Sequence, residues 1–346
     1  MRHRAPTRRS ALGLAGLAAL AGVVPDGARA EAPRPLAYDD LIRGPVPIPP
    51  AERGLQSVMA EPWFKVSDDG LPLEGPAFDR AGKLLFADAG SGRVFRLTPD
   101  KRLTTIVPAN TFGLGGLALH KDGRIFAAGT GGFRRGSIVA IQPDGSDLHT
   151  IVPPEAGYAP NDLVFDAHGG FYFTDFRGRS TEPQGGAYYV SPDLRTITPV
   201  LPHLAMANGV ALSPGGKTLW VTEFSRNLLH RVELADATTP TPFGTAVAYH
   251  FTGPAPDSMR ADADGNLYVA LYGQGRVLVF SRHGIPIGQV LLPGRDEGHN
   301  LRSTSMALHP GTDDLFIVTN DGEGGQGSTI FHARAFAKAL PLYSHQ

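Results

Sequence analysis

One short phrase recurs six times along the chain, and it limits the fold more than any other feature does. Each copy has a polar residue, a tight glycine turn and then an alternating apolar strand. The turn glycines are Gly82, Gly123, Gly169, Gly216, Gly265 and Gly311. Their separations of 41, 46, 47, 49 and 46 residues each accommodate four short antiparallel strands, the content of one propeller blade. The repeat predicts an all-β fold, a closed six-bladed β-propeller.

An open solenoid would show the same period, but it needs atypical capping repeats at its ends. No such repeats are visible, and the charged and aromatic ends of each phrase favour closure. The 43 Gly and 30 Pro suit a chain that turns often, and 42% apolar residues can support a core. Closure into a ring is therefore the preferred interpretation.

Charge and cysteine content exclude several classes of function. The 32 basic and 33 acidic side chains create no broad field that would attract nucleic acid or an anionic membrane, so a small-molecule partner fits better. The absence of Cys from the sequence excludes disulfides, thiolate nucleophiles and cysteine-ligated zinc. Oxygen and imidazole remain as the available metal ligands.

Residues 1–30 are expected to be a signal peptide that is removed. Basic residues run from Arg2 to Arg9, an apolar run spans Leu12 to Val24, and Ala28 to Ala30 form a small-residue cleavage pattern. Thr7 to Ser10 resembles the twin-arginine type of signal. A membrane anchor is the alternative, but 13 apolar residues are too few to span a bilayer. We expect a mature chain that is periplasmic or secreted and has no membrane span.

The rest of the chain divides into two regions. Residues 31–70 form an N-terminal extension in which Trp63 to Val66 is the main alternating segment. We expect this segment to close the ring beside the strand near Ile330 to Ala333. Residues 71–346 are predicted to form the six-bladed propeller.

A second column of residues stands five positions ahead of the polar residue in each phrase. It contains Glu74, Gly115, Asn161, Asn208, Asp257 and Thr304. If the strands that follow are the innermost strands of the blades, these residues lie at one height around the channel. Four of them are carboxylates or carboxamides, and two buried carboxylates that face each other repel unless a metal neutralises them.

The column therefore predicts a cation at the mouth of the channel. Oxygen ligands that include amides suit calcium, which accepts six to eight such oxygens. Magnesium, manganese or zinc are the alternative ions. A purely structural alternative is that Asn and Asp cap turns ahead of strands, but four such residues in one register favour the metal.

At these residues the chain resembles the family that groups gluconolactonases, senescence marker protein and luciferin-regenerating enzyme. The likeness covers most of residues 70–335 and is strongest to the drug-responsive staphylococcal lactonases, a branch of that family. It is densest in four strings, GGFYFTDFRG, GGAYYVSPDLRTITP, YGQGRVLVF and GRDEGHNLRST.

The resemblance implies which residues hold the metal. Glu74, Asn161, Asn208 and Asp257 correspond to ligands of a catalytic calcium, with Ser258 as a fifth ligand. Most of the family has Gly at the position of Ser258, so the serine favours the drug-responsive branch, whereas that branch carries Asp where this chain has Asn161.

That branch also holds a second, structural calcium between the loops of blades two and three. Phe133 to Arg135 and Pro153 occupy the comparable places in this chain. We expect no such second site.

The expected reaction is hydrolysis of a small lactone or related ester. A metal-bound carbonyl would be polarised, and Asp257 would act as general base toward water and then as general acid toward the leaving alkoxide. Pure metal ligation is the alternative role for Asp257. Arg177 and His299 lie in predicted loops and could bind substrate, although each could equally serve as a structural hydrogen-bonding group.

Two other functions stay open at this point. The same site could serve a sugar lactonase or an organophosphate hydrolase, since a metal polarises phosphoryl as well as carbonyl oxygens. Alternatively, the chain is a non-catalytic binding propeller with a structural ion. A serine hydrolase is disfavoured because the sequence has no G-x-S-x-G motif.

Overall fold

The computed structural model describes residues 44–346, so the predicted signal peptide lies outside the described residues. The sheets of the described chain form six blades around a central channel, which confirms the predicted six-bladed β-propeller. Helical structure is limited to short turns, such as α1 (Gly131–Arg134). Among residues 44–346, no helix has the length and apolar character needed to cross a membrane.

Each blade is built on an antiparallel sheet of four strands. The strands β1 (Gln56–Met59) and β2 (Glu61–Ser67) precede the first blade. Blade one contains β3 (Leu73–Phe78), β4 (Leu84–Asp88), β5 (Arg93–Leu97) and β6 (Leu103–Val107). Blade two contains β7 (Leu114–Leu119), β8 (Ile125–Gly129), β9 (Ser137–Ile141) and β10 (His149–Val152). Blade three contains β11 (Pro160–Phe165), β12 (Phe171–Asp175), β15 (Gly185–Val190) and β16 (Ile197–Leu204), with a small hairpin of β13 (Gly178–Arg179) and β14 (Glu182–Pro183) between them.

The remaining blades follow the same plan. Blade four contains β17 (Ala207–Leu212), β18 (Thr218–Glu223), β19 (Leu228–Leu234) and β20 (Pro240–His250). Blade five contains β21 (Pro256–Ala261), β22 (Leu267–Leu271), β23 (Arg276–Phe280) and β24 (Pro286–Leu291). Blade six contains β25 (Arg302–Leu308), β26 (Asp314–Asn320) and β27 (Ser328–Arg334), and β2 is its fourth strand.

The first strands of the six blades form the innermost ring. Strands β3, β7, β11, β17, β21 and β25 each contact the next, and β25 contacts β3. Six apolar clusters fill the spaces between neighbouring blades, including one between blades six and one. Because every blade buries both faces against a neighbour, the core is itself a ring.

The repeated phrase folds as a capped turn between the first and second strands of a blade. In blade one, Oδ1 of Asp79 accepts hydrogen bonds from the backbone N–H groups of Ala81 and Lys83, both at 2.9 Å. In blade five, Oδ1 of Asp262 accepts hydrogen bonds from the backbone N–H groups of Asp264 at 3.0 Å and Asn266 at 2.9 Å. The adjacent glycine adopts positive φ, for example +92° at Gly169, which residues with a Cβ rarely adopt. These turns direct the inner strands toward one common mouth.

The ring is joined by its N-terminal strand. Strand β2 pairs antiparallel with β27, with Phe64 opposite Ile330 and Glu61 opposite His332. A strand from the start of the chain therefore completes the last blade, and its backbone hydrogen bonds cover an edge that would otherwise be unpaired.

A second N-terminal strand and a buried ion pair attach the extension to blade five. Strand β1 lies parallel to β24 at the outer edge of that blade. Just ahead of it, the buried Glu52 carboxylate lies 2.5 Å from the buried Arg276 guanidinium, and the Tyr249 hydroxyl donates to Glu52 at 2.6 Å. The repeat pattern did not predict this attachment, because β1 has no equivalent in the other blades.

Glu52→Gln is expected to lower the free energy of unfolding by about 2–3 kcal/mol, because the buried Arg276 loses its counter-charge. Urea denaturation followed by circular dichroism measures the change. The exposed Glu297 provides a control, and Glu297→Gln should change stability by less than about 0.5 kcal/mol. Unchanged stability of the Glu52 variant would show that the ion pair does not anchor the extension.

Candidate metal centre

All six inner strands are irregular at the same place. Where the inner strand starts beside the end of the second strand, the pairing register shifts, for example between Pro160 and Leu163 and between Pro256 and Met259. Such bulges turn successive side chains away from the regular alternation. In blades two to five the shift frees the column residue and the residue after it from regular pairing. In blade six it frees Thr304 alone, and in blade one Glu74 stays paired with Ala87.

Glu74, Asn208 and Asp257 lie on the ring of inner strands, close enough that Asn208 acts on the pKa of Asp257 and Asp257 acts on the pKa of Glu74. Asn208 and Asp257 are buried, with 3% and 4% of their surfaces exposed. Ser258 is buried beside Asp257, and Asn161 is partly exposed.

Two members of the column contribute no ligand side chain to this group. Gly115 has no side chain, and a Cβ built there would lie 3.8 Å from Cβ of Glu74. The Thr304 hydroxyl donates to the carbonyl of Leu73 at 2.5 Å. The polar group is therefore asymmetric, although the blades are equivalent.

Threonine hydroxyls on the second strands hydrogen-bond to the backbone of neighbouring inner strands and hold these strands in place. The Thr222 hydroxyl donates to the carbonyl of Asp257 at 2.8 Å and accepts from the N–H of Gly209 at 2.7 Å. A Cβ at Gly209 would lie 2.7 Å from that Asp257 carbonyl oxygen, so glycine permits blades four and five to approach this closely. The Thr174 hydroxyl donates to the carbonyl of Asn208 in the same way.

The two carboxyl groups of the centre resist ionisation. Burial raises the pKa of Asp257 to about 8, and hydrogen bonding from Asn208 opposes the rise. Burial also raises the pKa of Glu74 well above its usual value, and the nearby charges of Asp257 and Asp162 raise it further. A positive charge between these groups would reverse both shifts.

Two oxygens of this centre have no hydrogen-bond partner within the described part of the chain. They are Oδ1 of Asn208 and Oδ1 of Asp257, and both atoms are buried. Such orphaned acceptors are costly unless a ligand satisfies them. Among residues 44–346, no three His, Cys, Asp or Glu side chains form a cluster able to hold a metal. The donor set therefore depends on the amides, and carboxylate plus amide oxygens fit a hard cation such as calcium.

Asp162 and Arg260 lie beside this centre, and neither was predicted as a site residue from the sequence. Asp162 follows Asn161 and is fully buried. Its Oδ2 accepts from the Arg260 guanidinium at 2.8 Å, and Oδ1 accepts at 3.3 Å. The sequence does carry one signal, since Arg260 is the one charged residue at a position where the other five phrases have Ala or Val.

Arg177 forms an ion pair with a carboxylate, and the His299 ring lies within hydrogen-bonding distance of another. Arg177 binds Asp175 through two nitrogens at 2.6–3.0 Å. Nδ1 of His299 lies 3.0 Å from Oδ2 of Asp321. These contacts account for the positions of both side chains without a bound substrate.

Aromatic side chains border the same mouth, and we name Phe133, Phe176, Phe224 and Tyr272 the aromatic arc. Successive ring centroids are 5.6, 5.4 and 6.1 Å apart. The last three residues directly follow β12, β18 and β22. Their N–H groups donate to residues located two positions ahead of the predicted ligands, Ala159, Met206 and Ala255. The repeated placement of an aromatic residue after the second strand was visible in the sequence.

A cavity of about 1030 Å³ occupies the opposite end of the channel. The C-terminal segment 338–346 lines it, and Tyr343 packs against Phe165 at 5.5 Å between ring centroids. Glu74, Asn208 and Asp257 do not line this cavity, but Arg260 does. The candidate centre and the cavity therefore lie on different sides of Arg260.

Comparisons with curated proteins show close relatives. The chain is 50% identical over 313 residues to lactonase drp35 of Staphylococcus saprophyticus, covering 89% of this chain and 97% of that protein. It is 47% identical over 316 residues to lactonase drp35 of Staphylococcus aureus, covering 90% of this chain and 97% of the relative.

Solved structures with low sequence identity share the fold. Regucalcin of Agrobacterium tumefaciens, described as a calcium-binding protein, superposes with a TM-score of 0.69 at 21% identity, covering 83% of this chain and 99% of that one. A gluconolactonase of Xanthomonas campestris superposes with a TM-score of 0.64 at 21% identity, covering 77% of this chain and 87% of that one. The family model for the SMP-30/gluconolactonase/LRE-like region matches residues 73–321. With its repeats, propeller fold and relatives in agreement, the chain belongs to the SMP-30/gluconolactonase/LRE-like family.

Proposed function

We propose that this protein is a calcium-dependent lactonase that hydrolyses small lactones or related esters. Relatives at about half identity across nearly their whole length bear the name lactonase. The observation that carries the proposal is the group of the partly exposed Glu74 and the buried Asn208 and Asp257, in which two acceptor oxygens have no partner among the residues described. These orphaned acceptors support a bound cation, and the name of the relatives supports turnover of a lactone.

We assign the metal to Glu74, Asn161, Asn208 and Asp257, with Ser258 as a fifth ligand. The chemistry that a bound calcium would supply is polarisation of the substrate carbonyl and stabilisation of the negative charge that develops on its oxygen. The neighbouring Asn208 amide lowers the pKa of Asp257 and so favours the carboxylate form.

Asp257 is assigned the proton transfers. Water attacks the carbonyl carbon while the Asp257 carboxylate accepts one of the water protons. The bond between that carbon and the ring oxygen then breaks, and Asp257 returns the proton to the departing alkoxide. The product is a hydroxy acid, and the enzyme ends in its starting protonation state.

The aromatic arc supports an apolar substrate over a polyhydroxylated sugar lactone. Ring faces exclude water and offer dispersion contacts, but they provide few hydrogen bonds for sugar hydroxyls. Phe224 is partly exposed and lies between Phe176 and Tyr272. An apolar lactone ring would pack against this side chain while its carbonyl reaches the centre.

A hydrolysis panel tests the proposed function. The purified mature chain is assayed with aliphatic, aromatic and sugar lactones, an aryl ester and an organophosphate, each with calcium or with a chelator. Calcium-dependent lactone turnover supports the proposal. Calcium binding without turnover of any compound would favour a binding propeller, and turnover limited to the organophosphate would favour the phosphotriesterase alternative.

Phe224→Ala is expected to raise KM for an aromatic lactone about tenfold with little change in kcat, because packing contact is lost. KM for a small aliphatic lactone should change less than about twofold. The matched control is Phe243→Ala, since Phe243 is fully exposed in the same blade. Equal effects on both substrates would show that Phe224 does not select for apolar rings.

Export of the protein is also proposed from residues 1–30. The basic start, apolar run and Ala28 to Ala30 pattern support a cleaved signal of the twin-arginine type. Amino-terminal sequencing of the protein from a periplasmic fraction should start near Glu31. An uncleaved chain in the cytoplasm would contradict the proposal.

A further inference from the structure

Arg260 breaks the pattern of the inner strands. Three residues after the ligand column, the other blades carry small apolar residues that line the cavity in the channel. They are Ala77, Ala118, Val164, Ala211 and Ala307. A large charged side chain at this level occupies space that five small residues leave open.

The Arg260 side chain crosses from blade five to blade three. Two of its nitrogens contact Asp162 at 2.8 and 3.3 Å, and one also donates to the carbonyl of Met259 at 2.6 Å. In blade four, which lies between them, Gly209 lets the backbone approach blade five closely, since a Cβ there would lie 2.8 Å from the N atom of Met259. The N–H of Val210 donates to the same Asp162 carboxylate at 3.5 Å. Asp162 is thus held by groups from blades four and five.

Asp162 is close enough to the centre to affect its charge. Its negative charge raises the pKa of both Glu74 and Asp257, whereas the positive charge of Arg260 lowers the pKa of Glu74. When ionised, the three carboxylates and one guanidinium carry a net charge of −2, which balances one divalent cation. Without Arg260 the same set would carry an excess negative charge.

We infer that Arg260, by pairing with Asp162, keeps this carboxylate out of the metal's ligand set and thereby limits the affinity of the centre for calcium. The inference rests on the proposed metal site and adds a positioning residue to it. It requires only fixed charges at short range inside the channel, where water screens them poorly.

Two single substitutions should shift calcium affinity in opposite directions. Arg260→Met keeps the length of the side chain and removes its charge, so Asp162 becomes available to the cation and Kd for calcium should fall about tenfold. Asp162→Asn leaves Arg260 uncompensated, and Kd should rise about tenfold. The double variant should return to within about threefold of wild type, because the two charges are removed together. Arg260→Lys keeps the charge and should bind calcium like wild type.

Isothermal titration of the purified mature chain with calcium chloride measures these constants, and circular dichroism checks folding. A folded Arg260→Met variant whose Kd is unchanged or higher would overturn the inference. If that variant does not fold, an unchanged Kd in Asp162→Asn or a changed Kd in Arg260→Lys overturns it. A wild-type chain that binds no calcium would contradict the inference and the proposed site together. Chelator-insensitive lactone turnover by a calcium-binding wild type would contradict the proposed function alone.

Discussion

Asp257→Asn should lower kcat for lactone hydrolysis by about a thousandfold or more, because the amide cannot accept a proton from water. The side chain keeps its volume and one carbonyl oxygen, so calcium binding should persist with Kd raised by about tenfold or less. The predicted loss is thus in turnover rather than in occupancy of the metal site. Steady-state kinetics at saturating calcium, together with titration calorimetry, separate the two effects.

Asp264→Asn is the matched control for this variant. Asp264 is exposed in the turn of the same blade, so its substitution should leave kcat and calcium affinity unchanged. An Asp257→Asn enzyme that binds calcium and retains most of its kcat would exclude the proton-transfer role and leave Asp257 as a ligand only.

Removal of calcium should make the stability of the protein decrease as pH rises. The pKa of Asp257 is about 8 and that of Glu74 is also raised by burial, so the folded state binds more protons than the unfolded chain. Stability then falls between the ordinary carboxyl pKa of about 4 and pH 8. The expected slope is about 1–2 kcal/mol per pH unit, because each of the two carboxyl groups contributes at most about 1.4 kcal/mol per pH unit. Asp162 and Arg260 are the other charged groups that act on this pair.

Calcium should remove this slope, because ionised carboxylates are then favoured by the cation. Urea denaturation at pH 5, 6, 7 and 8, with a chelator or with calcium, measures the effect. Asp257→Asn combined with Glu74→Gln should flatten the curve in the chelator. Stability that rises with pH in the absence of calcium would contradict the raised pKa values.

The fold was predictable because local sequence patterns, a glycine turn followed by an alternating strand, repeat six times along the chain. Each glycine turn fixes a hairpin by itself, and six hairpins of similar length can bury both faces of every blade only by forming a closed ring. The inner-strand column was predictable for the same reason, since equivalent positions in a closed ring must lie at one height. Asn208 and Asp257 thus converge on the axis from 49 residues apart.

Contacts that break the repeat were not predictable. Strand β1 and the Glu52 anchor have no counterpart among the blades, so no internal comparison reveals them. The pairing of Arg260 with Asp162 spans 98 residues and skips a blade, so it depends on side-chain directions that only the closed ring fixes.

The amino-acid sequence by itself determined the number of blades, the position of the channel mouth and the types of oxygen that face it, because short-range turns and strand periodicity decide these. Tertiary structure alone decided which oxygens lack partners and which charge balances Asp162. These features depend on distances between side chains from different blades, and such distances exist only after the ring has closed.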